Sequence, residues 1–85
     1  MILLEATLSP ELSVKYRMEI DAHNSITEYS IYCSSHDSHG NLIDAECVKH
    51  ISPCYRRATE IFNKLVENQV TPCTLKDVIT DLLSQ

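Results

Sequence analysis

The hydrophobic pattern changes period once along the chain, from two in the first part to that of a helix in the last third. Between positions 12 and 20, Leu12, Val14, Tyr16, Met18 and Ile20 alternate with Ser13, Lys15, Arg17 and Glu19. Alternate side chains of a strand point to opposite faces, so this stretch predicts a strand with one core face and one wet face. A weaker row precedes it, with Ile2, Leu4, Ala6 and Leu8 set against Leu3, Glu5 and Thr7. Ser9-Pro10-Glu11 separates the two, proline setting the bend, and the pair reads as a hairpin. Asp21-Ala22-His23-Asn24-Ser25 is the next turn cluster. Residues 26–34 then read as a strand rich in Ile, Thr and Tyr, with Tyr29, Ile31 and Cys33 on its core face. Polar residues 35–41 hold the only glycine, and Gly40-Asn41 signals a hairpin turn. Residues 42–51 return as a fourth strand whose less regular pattern leaves its register open.

Ser52-Pro53 marks the change of period, a hydroxyl cap followed by proline at a first helical position. Ala58, Ile61, Phe62 and Leu65 follow at helical spacing, with Arg57, Glu60, Asn63, Lys64 and Glu67 on the wet face. This helix should end near Asn68-Gln69, because Pro72 turns the residue before it away from helix. A second helix opens at Thr71 or Thr74, where Thr74 and Asp77 resemble a capping box. Its apolar stripe is Leu75, Val78, Ile79, Leu82 and Leu83. The chain is therefore expected to be one α+β domain over residues 1–85. A four-stranded antiparallel meander over about 1–51 precedes two helices, about 53–69 and 73–84, packed on one face of the sheet.

Composition narrows the function more than it names it. The hydrophobic fraction is 44 % and the charged fraction 22 %, the balance of a globular chain and not a disordered one. A net charge of −5 disfavours nucleic-acid backbones and anionic membrane surfaces. Arg56-Arg57 is the nearest approach to a basic patch. No apolar run is long enough to span a membrane. Met1-Ile2-Leu3-Leu4-Glu5 lacks the basic flank of an export signal, so the expected compartment is the cytoplasm and the expected state of the four cysteines is reduced.

Three constellations could carry chemistry. Cys33-x-x-His36 and Cys47-x-x-His50 share one spacing and supply the ligand types of a Cys2His2 zinc site. Strand geometry opposes it, since residues three apart on a strand point to opposite faces; buried small hydrophobes and exposed loop histidines are the plainer reading. Cys54 falls in the expected first turn of a helix, with His50, Arg56 and Arg57 nearby in sequence, which is a setting that activates thiols. The plainer reading makes it the start of the apolar face. The third constellation is a protein-binding surface on the open sheet, where Ile26 and Tyr32 share the outer parity of the third strand. The carboxylates Asp37, Asp44, Glu46, Asp77 and Asp81 form no catalytic pair; Asp77 and Asp81 read as a solvated helix face. One glycine leaves no phosphate-cradling loop, no catalytic motif occurs, and no small-molecule substrate or cofactor is indicated.

Val70-Thr71-Pro72-Cys73-Thr74-Leu75-Lys76-Asp77-Val78-Ile79-Thr80-Asp81-Leu82-Leu83 resembles the ending of a family of small uncharacterised bacterial proteins, a domain of unknown function. That ending runs Val-Thr/Ser-Pro, a short spacer, then Leu-x-Asp-Val/Ile-Ile/Val-x-Asp-Phe/Leu-Leu. Tyr29-Ser30-Ile31-Tyr32-Cys33 resembles its Tyr-x-Val/Ile-x-Ile strand. The resemblance covers the last two thirds of the chain, and the cysteines and histidines depart from the family pattern, which lowers the zinc and thiol readings. It implies a cytosolic protein of unassigned function and carries over no catalytic residue. The expected function is a non-enzymatic interaction or regulatory module, monomeric or homodimeric, with the open sheet face and the last helix as contact surfaces. A zinc module through Cys33, His36, Cys47 and His50 and a thiol redox protein through Cys54 are the alternatives.

Overall fold

The computed structural model describes residues 2–8, 13–23 and 26–84. Strands β1 (Ile2–Leu8), β2 (Ser13–His23), β3 (Ile26–His36) and β4 (Leu42–Ser52) precede helices α1 (Tyr55–Glu67) and α2 (Pro72–Leu83). Each strand pairs antiparallel with the next in chain order. This is the α+β meander that the change of period predicts. The expected Ser9-Pro10-Glu11 bend lies outside the described residues, as do Leu12, Asn24 and Ser25. Asp21, Ala22 and His23, expected in a turn, instead extend β2 opposite Glu28, Thr27 and Ile26. A ready-made partner strand outweighs their weak strand propensity.

The centre of the sheet follows the predicted alternation. Tyr16 sits opposite Cys33 and Met18 opposite Ile31, and all four are buried on the helix side. Val14 and Tyr29 extend that row, and Leu4, Ala6 and Ile20 pack at its margin. From above, α1 contributes Ala58, Ile61, Phe62 and Leu65, and α2 contributes Leu75 and Ile79. Both helices are amphipathic, so each can bury one stripe on the sheet and leave the other wet.

Helix ends differ from expectation in detail. Ser52 closes β4, and α1 begins at Tyr55 with Cys54 at its N-cap. Pro53 therefore lies in the connector, although the Ser52 hydroxyl still accepts the Cys54 amide at 3.0 Å. The N-cap of α2 is Thr71, with Pro72 in its first turn. Thr74 is thus already inside the helix, its hydroxyl donating to the Thr71 carbonyl at 3.3 Å, and the expected capping box is absent. Between the helices, the Gln69 amide donates to the Val66 carbonyl and the Val70 amide to the Leu65 carbonyl. With Gln69 at φ 52°, this is a Schellman turn. At the other end Arg57 donates to the Leu82 carbonyl at 2.6 Å, a cation on the last turn of α2.

Strand β4 is irregular twice. Tyr29 pairs with Ser52 and Ile31 with Val48, so residues 49–51 bulge opposite the single Ser30. His50 takes φ 57° there and donates its amide to the Ser30 hydroxyl at 3.4 Å. The bulge turns Ile51 into the core just before the chain leaves the sheet. A second irregularity lies between Asp44 and Leu42, which pair with Ser35 and His36. The hairpin loop beyond is Asp37-Ser38-His39-Gly40-Asn41, longer than the expected Gly40-Asn41 turn. Asp37 organises it, accepting the His39 and Asn41 amides at 2.9 Å each, while Gly40 adopts φ 84°. Those bonds hold the Asp37 carboxyl below its ordinary value, the Asn41 amide being the largest cause.

Strands β2 to β4 have 11 residues each and span ~36 Å at ~3.3 Å per residue. Helices of 13 and 12 residues reach only ~20 Å. The helices therefore leave part of the sheet bare. The first half of β4 is that part: Leu42, Ile43, Asp44, Ala45 and Glu46 are all exposed.

Candidate interaction surface

Cysteine and histidine placement follows from the strand period. Cys33 is buried on the helix side, its Sγ 3.8 Å from the Val70 carbonyl. Burial, and then the Asp44 carboxylate, push its thiol up to about 11. Cys47 pairs with Tyr32 and shares its open face, on the other side of the sheet from Cys33. His50 places Nδ1 2.8 Å from a Glu28 carboxylate oxygen, and His36 ends β3. The four residues of the zinc alternative are therefore dispersed over two faces and both ends of β4. Among the described residues no group of three or more His, Cys, Asp or Glu side chains is placed to hold a metal ion.

Cys54 is exposed at the N-cap of α1, not on its apolar face. The groups that neighbour it in sequence are engaged elsewhere. His50 faces Glu28, Arg56 lies 3.4 Å from Glu60, and Arg57 reaches Leu82. Cys73 is likewise exposed, and all four cysteines are free thiols.

Among the described residues nothing covers the side of the sheet away from the helices. Arg17 lies over the Tyr32 ring, 4.7 Å from its centroid, and its Nε is 2.7 Å from Glu19. Around this pair the face forms a shallow concavity of about 460 Å³ lined by Glu5, Thr7, Lys15, Ser34, Ala45 and Cys47 among others. Tyr32 is half-buried beneath the guanidinium, whereas Ile26 is 57 % exposed. The two lie six positions apart on β3, ~20 Å along the strand. Glu28 and Ser30 intervene on the same parity.

The open face runs directly onto the outer edge of the sheet. Ala45 pairs with Ser34 and Cys47 with Tyr32, so both belong to the open face and to the edge strand. At the start of that strand Leu42 is 62 % and Ile43 56 % exposed. These two residues are the functional candidates that strand periodicity misses. The available signal is the acidic-apolar alternation of Asp44-Ala45-Glu46-Cys47, which marks an edge strand with one charged side.

A four-stranded antiparallel meander backed by two helices on one face, with the other face and the start of the β4 edge uncovered among the described residues, defines a small α+β domain. The chain belongs to the family of unknown function DUF6514, whose model matches residues 4–85. No curated protein and no solved structure matches it. No helix among the described residues is long and apolar enough to cross a membrane.

Proposed function

We propose that this domain is a non-enzymatic protein-interaction module of the cytoplasm, and that it meets its protein partner through the bare end of the sheet. The observation that carries this reading is the pair Leu42 and Ile43, consecutive aliphatic residues more than half exposed on an edge strand. An edge strand carries unpaired backbone groups, and apolar side chains beside them add affinity to a strand-like contact. The concavity around Tyr32 and Arg17 adjoins the edge and enlarges the same surface. A net charge of −5 supports a protein partner over nucleic acid or anionic lipid.

A photo-crosslinking residue placed at Ile43 tests the reading in the cells that make the protein. Lys76, exposed on α2, is the control position. The expected result is adducts of discrete mass from position 43 and none of those masses from position 76. Identical adduct patterns from both positions, or none from either, would defeat the proposal. An adduct of twice the chain mass would identify the partner as a second copy.

A further inference from the structure

Two carboxylates occupy the edge that the proposed function needs. The Ala45 amide donates to Asp44 Oδ1 at 2.9 Å, and the Cys47 amide donates to Glu46 Oε1 at 3.0 Å. Amides of successive residues point to opposite edges of a strand. The Asp37 amide donates to the Asn41 carbonyl, so Ser35 and Cys33 turn theirs to β4 and pair with Asp44 and Glu46. Ala45 and Cys47 therefore direct their amides away from β3, and each is capped by the side chain just before it. Native sheets blunt their edges with charge to prevent promiscuous pairing, and here the charge also fills the donors a new strand would need.

Resting on the interaction-module reading, we infer that Asp44 and Glu46 are displaceable caps that admit an extended basic segment of another protein to the β4 edge. Asp44 and Glu46 share one side of the sheet, opposite Ser35 and Cys33. Cationic side chains two positions apart on an incoming strand would lie beside them and draw the carboxylates off the amides. The released amides then bond the incoming backbone. Ala45 and Cys47 line the other side of the same stretch, so the intervening positions of the segment face small apolar groups. The pattern that fits is alternating basic and apolar. A second copy of this chain does not fit. Antiparallel self-pairing centred on residue 44, 45 or 46 sets carboxylate opposite carboxylate, and like charges directly opposite are destabilising. Centring further along runs into the bulge at residues 49–51, and centring nearer the hairpin runs into the register slip between Leu42 and Asp44.

The experiment compares two blocked octapeptides, one alternating lysine with valine and one alternating glutamate with valine. Both are titrated into the full chain while amide signals and exchange are followed by NMR. The lysine peptide should slow exchange at Ala45 and Cys47, bind roughly tenfold or more tightly than the glutamate peptide, and weaken with added salt. In the doubly substituted Asp44→Ala/Glu46→Ala chain, whose altered side chains are exposed, the two peptides should bind equally. Equal binding of both peptides to the unaltered chain would overturn the inference. So would binding that leaves the Ala45 and Cys47 amides unchanged, or no binding of either peptide. Crosslinking at Ile43 judges the module reading independently, since it requires only contact at the sheet end and not removal of the caps.

Discussion

The Tyr16 hydroxyl donates to the Val70 carbonyl at 2.5 Å, joining the second strand to the turn between the helices across 54 positions of chain. Both residues are buried, and the Cys33 thiol approaches the same carbonyl from the neighbouring strand. The Schellman turn leaves that carbonyl outside the α1 ladder, so the sheet supplies its partners. Tyr16→Phe keeps the ring and removes only the hydroxyl. Stability should fall by roughly 1 kcal/mol, the net worth of one buried hydrogen bond, and the melting midpoint by ~4–8 °C. An unchanged midpoint in thermal denaturation would mean that the turn is held by packing alone.

The same cluster predicts alkaline sensitivity. Burial, reinforced by the neighbouring Cys33, pushes the Tyr16 hydroxyl up to about 12 from 10.0. Cys33 is pushed up to about 11 from 9.0. Both protons are held more tightly in the folded chain than in the unfolded one, so stability falls as pH rises. The contribution is complete below pH 9 and is lost between about pH 9 and 12 as first Cys33 and then Tyr16 ionises. Urea midpoints measured across that range should fall steadily. Tyr16→Phe should flatten the upper part of the decline and spare the lower part.

Gln69 occupies a backbone conformation that suits glycine. It is the left-handed residue of the Schellman turn, at φ 52°. Its Cβ is disfavoured there, and the turn itself is fixed by the amides of Gln69 and Val70 and not by the Gln69 side chain. Gln69→Gly should therefore raise stability by about 0.5–1 kcal/mol despite the larger entropy of the unfolded chain. Chemical denaturation would register this as a higher midpoint with the same slope, and a lower midpoint would disprove it.

Strand β2 is legible in its sequence because every residue from Val14 to Ile20 keeps its parity against β3. Strand β4 is not, because its pairing slips twice. The bulge at residues 49–51 shifts the register by two and breaks the alternation locally, and the slip between Leu42 and Asp44 shifts it by one and flips parity. Ile51 reaches the core through the first of them, and a bulge has no signature in a pattern of apolar and polar letters. The opposite faces of Cys33 and Cys47 follow from the period of each strand plus one pairing register, so the dispersal of the zinc alternative is half readable in advance. Exposure of Leu42 and Ile43 is not readable. It depends on how far two short helices reach across a longer sheet, which only the packed chain decides. Helix α2 starts at Thr71, one of the two expected positions, whereas the start of α1 shifts to Cys54 because the Ser52 hydroxyl serves a connector instead.

The mismatch between ~36 Å strands and ~20 Å helices divides the molecule into a thick part and a thin one. The thick part holds the core, from Tyr16 and Ile31 to Leu65 and Ile79. The thin part is the β3–β4 hairpin end, pinned chiefly by backbone pairing and by the Asp37 loop. Changes there remove little buried apolar surface, so they leave the fold almost as stable as before. Side chains at residues 42–46, all exposed, can thus be rewritten at little cost to the scaffold, whereas Asp37 and Gly40 hold the loop that closes the hairpin. On the proposed function, a lineage of such domains would change its partner at the thin end while inheriting the thick end intact.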